Sequence, residues 1–147
     1  MFGPAVRQAV AGLSALVLLS GCAHWSPETR ALETAYLAVH AVDAAQTMTI
    51  ARNPDTVHER TSAWLIGEQP SRGQVAAWAI GGALLHMAVT DQLERHEAPR
   101  WLKRSWQAFT IGPKVSTVAE NHELGIRVDG LTDALRARCR GREPGTC

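Results

Sequence analysis

A chain of 147 residues, 46% hydrophobic and 20% charged, is long enough for one small domain. Its formal net charge is +1. So near neutrality it lacks the basic excess of a general nucleic-acid binder, and no nucleic-acid partner is expected.

The first 21 residues have the three parts of a secretory leader. Arg7 is the only charge before Glu28, Ala9 to Leu19 form an apolar stretch, and small residues Ser20 and Gly21 precede Cys22. Leu19-Ser20-Gly21-Cys22 resembles the bacterial lipobox. The resemblance covers the leader alone and implies a lipoprotein: cleavage before Cys22, then diacylglyceryl and amide-linked acyl chains on that cysteine. Each buried methylene contributes about 0.8 kcal/mol, so several acyl chains hold stably where one is marginal. The expected placement is the cell envelope, lipid-anchored and facing the periplasm, with membrane lipid as the first partner. Ala23, standing where an aspartate would signal inner-membrane retention, leans towards the outer membrane. Besides the covalent lipid, no cofactor is expected.

Without its leader the chain keeps 126 residues and, losing Arg7, balances 14 basic against 14 acidic side chains. The reading divides them into a helical bundle domain, 22–126, and a short helix with a basic tail, 127–147. Cys139 and Cys147 would remain after lipidation, able to pair in an oxidising periplasm or to stay as free thiols.

Ser26-Pro27-Glu28 is a helix start: a capping serine, proline at the first helical position, an acid in the first turn. An Ala-rich stretch without Gly or Pro predicts a long helix to about Arg52, ended by Asn53-Pro54. Residues 53–70 are polar and mixed, with a short helical turn expected around Thr61 to Ile66. Ser71 and Gln74 fit a capping box, opening a second helix to about Arg95. His96 to Arg100 form a break. A third helix runs from Trp101 to about His122, with Gly112-Pro113 expected to kink or interrupt it, and Gly125 suits its C-cap. A last helix, Leu131 to Cys139, stacks Leu131 on Leu135. The expected class is all-α: a small bundle of three main helices and a short C-terminal one, membrane-apposed or partly membrane-embedded.

Val75 to Thr90 has His86 as its only strongly polar member before Thr90, a length between a core helix and a span. Charge placement favours one spanning arrangement. If only the second and third helices cross while the first lies on the surface, Arg95, Arg100, Lys103 and Arg104 face the cytoplasm, as the positive-inside tendency asks. A periplasmic bundle hanging from its lipid is the rival. Trp25, Trp101 and Trp106 beside basic residues suit an interfacial belt or, equally, a core.

Tyr36, His40, Asp43 and Thr47 share one face of the first helix at helical spacing, with Gln46 at its edge. The His86 face of the second is built from Ala79, Gly82, Ala83 and Thr90, small enough for close helix approach. If these faces meet, His40, Asp43 and His86 converge. A carboxylate beside an imidazole fixes its tautomer and raises its pKa. Such a trio ligates a metal or small ligand, moves a proton, or holds helices in register, and the structural role is the commoner one. Three His-Glu pairs, at His58, His96 and His122, do not continue as H-E-x-x-H, so a zinc-protease helix is excluded. There is no G-x-S-x-G and no phosphate-binding glycine loop, and the protein is read as no enzyme.

The run His40-x-x-Asp43-x-x-Gln46-Thr47, then Glu59, then Leu65-x-Gly67-x-x-Pro70-Ser71 resembles small uncharacterised helical proteins of the bacterial envelope and membrane, over roughly residues 32–126. The resemblance implies no activity. The expected function is therefore a structural or interaction module at the membrane, with an envelope protein as possible partner. The alternative is a small metal- or ligand-binding protein using His40, Asp43 and His86.

Overall fold

The structure, a computed structural model, describes residues 24–140. The leader, Cys22 and Cys147 lie outside the described residues. The fold is all-α: α1 (Pro27–Arg52), α2 (Ala63–Ile66), α3 (Arg72–Arg95), α4 (Arg100–Leu124) and α5 (Asp133–Cys139).

Local signals set the boundaries. Ser26 accepts from the Thr29 amide and Pro27 opens α1, while Asn53 closes it. Ser71 and Gln74 form both halves of the capping box that starts α3. Gly125, at φ +92°, ends α4 in the left-handed conformation that a Cβ would strain. Thr132 caps α5 through the Leu135 amide. The expected interruption at Gly112-Pro113 does not occur, since α4 is helical from Arg100 to Leu124. Both residues lie on the exposed side, so the proline ring meets no packed neighbour, and helices in contact with others tolerate an internal proline.

α1 is the central element and packs against both α3 and α4. Its contacts fix the directions. Trp25 at its start bonds to Asp91 near the end of α3, and Glu28 to Arg104 near the start of α4. Further along, Asp43 reaches Lys114 and Gln46 the Val118 carbonyl. α1 thus runs antiparallel to α3 and parallel to α4. The arrangement with the first helix lying apart on the surface does not survive: α1 is packed lengthwise between the other two. Its N-terminal end sits beside the α3–α4 turn, at what is called here the rim.

The base, at the opposite end, is an apolar cluster of Ile50, Val57, Ile126, Leu131 and Leu135, with Cys139 packed against it. Leu131 and Leu135 pack there together, as the spacing predicts, and α5 shares this core with the bundle. Between rim and base the pattern inverts. Among the described residues twelve polar or charged side chains are buried against nine apolar ones. Meanwhile Ile80 (63% exposed), Leu85 (65%) and Phe109 (77%) face outward.

The outward surface there is free of charge on all three helices. From Ala31 to Ala51 the exposed positions of α1 are alanines, Thr34 and Val42; from Val75 to Thr90 those of α3 are Ile80, Leu84, Leu85, Gly81 and alanines. On α4, from Trp106 to Val115, they are Ala108, Phe109, Gly112, Pro113 and Val115. Sixteen helical residues of α3 extend about 24 Å at 1.5 Å per residue. Among the described residues one helix, Arg72–Arg95, is by length and composition long and apolar enough to cross a membrane.

Candidate functional site: the polar interior

The interior of the bundle is a column of polar layers. A stripe on α1 at spacings of three and four, Thr29, Glu33, Tyr36, His40, Asp43, Gln46, supplies one member to each.

The rim layer is ionic and partly wet. Asp91 receives the Trp25 indole (3.1 Å), His24 (3.1 Å) and Arg95 (2.6 Å). Glu94 accepts from Lys103 at 3.0 Å and from the Thr29 hydroxyl. Arg104 binds Glu28 at 2.8 Å; this guanidinium holds the exposed carboxyl below its usual value, and the carboxylate in turn raises Arg104.

The next layer is dry. Glu33 and His86, both about 3% exposed, pair at 2.9 Å between Oε1 and Nδ1. The other oxygen of Glu33 accepts from the Thr90 hydroxyl (2.8 Å) and from the Gln107 amide (3.2 Å). Thr90 in turn accepts from the Trp106 indole at 3.2 Å. His86 Nε2 meets the Thr110 hydroxyl at 2.9 Å, and that hydroxyl also lies within bonding distance of the Trp106 and Gln107 carbonyls. The Thr110 hydroxyl has one hydrogen, which goes either to a helix carbonyl or to His86 Nε2, and the tautomer of His86 follows that choice. The ring lies between Tyr36 (centroids 3.4 Å apart, planes within 7°) and Trp106 (5.0 Å).

One helical turn further, His40 donates from Nε2 to the Ala79 carbonyl at 2.8 Å. The close approach requires Gly82, where an added Cβ would stand 3.3 Å from the His40 ring. His40 stacks on Tyr36 and meets Trp78 edge-on. Its Nδ1 has no partner among the described residues. Asp43 pairs with Lys114 at 2.7 Å, and that ammonium lies 4.8 Å from the Trp78 ring. In the last layer the Gln46 amide bonds the Val118 and Ile126 carbonyls and Asn121, and the Thr49 hydroxyl bonds the Arg127 carbonyl.

His40, Asp43 and His86 therefore line one interior, as spacing predicts, but do not form a shared site. Tyr36 stands between the two imidazoles, and each ionisable group has its own partner: Glu33 for His86, Lys114 for Asp43. No cluster of three His, Cys, Asp or Glu side chains among the described residues is arranged to hold a metal. Of these three, Trp25 is buried and Trp106 partly buried, each with its indole donating a hydrogen bond, while Trp101 is exposed. Glu33, Gln107, Thr110 and Lys114 were not singled out from the sequence, although Glu33 lies on the same α1 stripe. Cys139 is disulfide-bonded; its expected partner Cys147 lies outside the described residues. Glu59 is buried in the α1–α3 connection, where one oxygen accepts from the Ser62 amide.

Chemically, the arrangement joins helices. Every charged side chain in the dry layers is paired and hydrogen-bonded, the condition under which such groups are stable away from water. No protein-family model matches this chain, and neither a curated protein nor a solved structure is similar to it.

Proposed function

We propose that this is a lipid-anchored envelope protein whose bundle sits in the bilayer, and that it serves there as a structural or interaction module. The observation that carries the reading is the inverted middle of the bundle: paired polar groups inside, uncharged apolar side chains outside, on all three long helices. In water, an exposed apolar surface this continuous is a liability, since large patches on soluble monomers mark interaction or membrane sites. In lipid the same surface is solvated, and interior polar pairs supply helix association that the hydrophobic effect does not.

Lipidation at Cys22, three residues before Trp25, fits this seating. It would bring the acyl chains to the rim, with its indoles and balanced ion pairs, at the level of the outer leaflet surface. The rim then carries Arg95, Arg100, Lys103 and Arg104 on the side of the lipid anchor. The positive-inside tendency counts Lys and Arg and is not offset by Glu28, Asp91 and Glu94, so at the inner membrane it weighs against this orientation, as does the disulfide-bonded Cys139 at the end opposite the anchor.

The test separates seating from anchoring. The mature chain is exported behind an ordinary cleavable leader with Cys22→Ala, so that no acyl chain is attached. Resistance to alkaline carbonate extraction is the expected result. Release into the soluble fraction would mean a bundle tethered by lipid alone. Globomycin-sensitive processing of the natural chain tests the anchor itself.

A second reading, a small metal- or ligand-binding protein, is favoured by one observation, the unpartnered buried Nδ1 of His40. Asp43 and His86 are committed elsewhere, so the reading rests on His40. Metal analysis of the purified protein, with melting followed on chelator addition, decides it.

A further inference from the structure

Between the starts of α1 and α4 lies a cleft of about 440 Å³, within the size range of small-molecule sites. Its mouth is cationic: Arg100, Lys103 and Arg104 line it. Lys103 and Arg104 are engaged with Glu94 and Glu28, whereas Arg100 forms no salt bridge among the described residues. Two helix N-termini, at Ser26–Thr29 and at Arg100, border the same space, and both present the positive end of a helix dipole. The floor is formed by Thr90 and Gln107, side chains that bond Glu33 directly.

Leu93, in the cleft wall, also lines a second groove of about 450 Å³, with Ala88, Val89, Gln92, His96, Ala98 and Leu102. One space offers positive charge and the other an almost wholly apolar surface, and Leu93 lines both. A free phosphate would satisfy only the first. An anionic amphiphile satisfies both.

We propose that this double cavity binds one anionic glycerophospholipid: its phosphate at Arg100 and Lys103, one acyl chain along the groove past Leu93. The proposal rests on the bilayer seating above, because the cavity is at the rim, where headgroups would lie. Arg100 forms no salt bridge among the described residues, although its charge acts on the Glu28 carboxylate in the same cleft, and an arginine–phosphate contact is charge-assisted and bidentate.

The full-length lipidated protein in a non-ionic detergent is titrated with short-chain phosphatidylglycerol, with phosphatidylcholine of the same chain length, and with inorganic phosphate. Emission from Trp106, in the cleft wall, gives the readout, and native mass spectrometry gives the stoichiometry. One phosphatidylglycerol per chain should bind saturably, at least about tenfold tighter than phosphatidylcholine, a difference of 1.4 kcal/mol. Arg100→Glu should abolish that preference, and Arg100→Gln, which keeps length without charge, should reduce it, both with unchanged melting. Equal affinity for the two lipids, binding of inorganic phosphate as tight as that of phosphatidylglycerol, or indifference to both Arg100 variants would each overturn the proposal. Carbonate extraction of membranes carrying the unlipidated Cys22→Ala chain keeps the two readings apart. Failure of lipid binding when that chain resists carbonate sinks only the cavity; its release by carbonate sinks the seating.

Discussion

The base and the middle of this bundle are built on opposite rules. At the base Ile50, Val57, Ile126, Leu131 and Leu135 are inside, and the surrounding turns are polar, as in any small domain in water. In the middle, Glu33, His86, Asp43 and Gln46 are inside while Ile80, Leu85 and Phe109 are outside. On the proposed seating the same chain meets two surroundings. Where the hydrophobic effect can act, it gathers apolar side chains; where the exterior is itself apolar, polar pairs specify which helix faces which. The contrast predicts different responses to substitution in the two regions.

The largest expected effect is at Glu33. Glu33→Ala removes the carboxylate and leaves His86, Thr90 and Gln107 without their common partner; breaking one side of a buried pair costs about 3–5 kcal/mol. Unfolding of the purified protein in detergent should show this loss, and Glu33→Gln, which keeps the shape and part of the bonding, should lose less. If Glu33→Ala melts like the parent protein, the interior network is not what joins α1 to α3 and α4.

Next comes the exterior. Leu85→Lys places a charge on the outward face of α3, at about 2.5–3.5 kcal/mol in mid-bilayer; an exposed site in water would change by less than about 0.5 kcal/mol. Reduced membrane retention with normal folding in detergent is the expected pattern. A fully retained Leu85→Lys would mean that water, not lipid, covers this face.

How far the sequence reveals this contrast can be argued from the same residues. The ends of α1 and α3 are written locally, in Ser26-Pro27, Asn53-Pro54 and the Ser71–Gln74 box, and each lies where local chemistry predicts. The stripe Tyr36, His40, Asp43 is equally legible, because helical spacing alone puts its members on one face. The partners are not. Whether His86 meets Asp43 or Glu33 depends on how far α3 slides along α1, about 15 Å or nearly three turns, and no spacing within a single helix carries that information. The same ignorance of register hides Lys114 and Gln107, each placed by the position of α4. Glu33 was readable, three residues before Tyr36 on the stripe. It is easily taken for a mere cost in lipid, since a carboxylate gives no hint of its partner from another helix. At Pro113 the helix continues although the ring cannot donate to the Phe109 carbonyl, a local cost that the packing of α4 along α1 outweighs, and no local signal shows that packing.

At the base a smaller effect tests the conventional half. Gly125→Ala forces a side chain into the left-handed conformation, at φ +92°, and drives its Cβ into the Thr132 hydroxyl that caps α5. Strain of this kind costs about 1–3 kcal/mol. Hydrogen exchange should rise first at Leu131 to Cys139, leaving the Glu33 layer protected. Uniform loss of protection would show that base and middle unfold as one unit and do not respond separately.

The smallest effect belongs to the rim, where the proposed seating puts the change from lipid to water. Arg104 holds the exposed Glu28 carboxyl below its ordinary value of 4.5, so the folded state binds this proton less readily than the unfolded one. The stabilisation is then present above the unfolded value and disappears as pH falls through the depressed folded one. Exposed pairs are screened by salt and contribute little. The difference in melting between the parent and Glu28→Gln should accordingly be small near about pH 7, vanish on acidification below the carboxylate range, and shrink with added salt. The Glu33–His86 pair, sealed from counter-ions, should be indifferent to salt over the same range. Salt sensitivity at Glu33 equal to that at Glu28 would place water inside the bundle and remove the distinction between its rim and its middle.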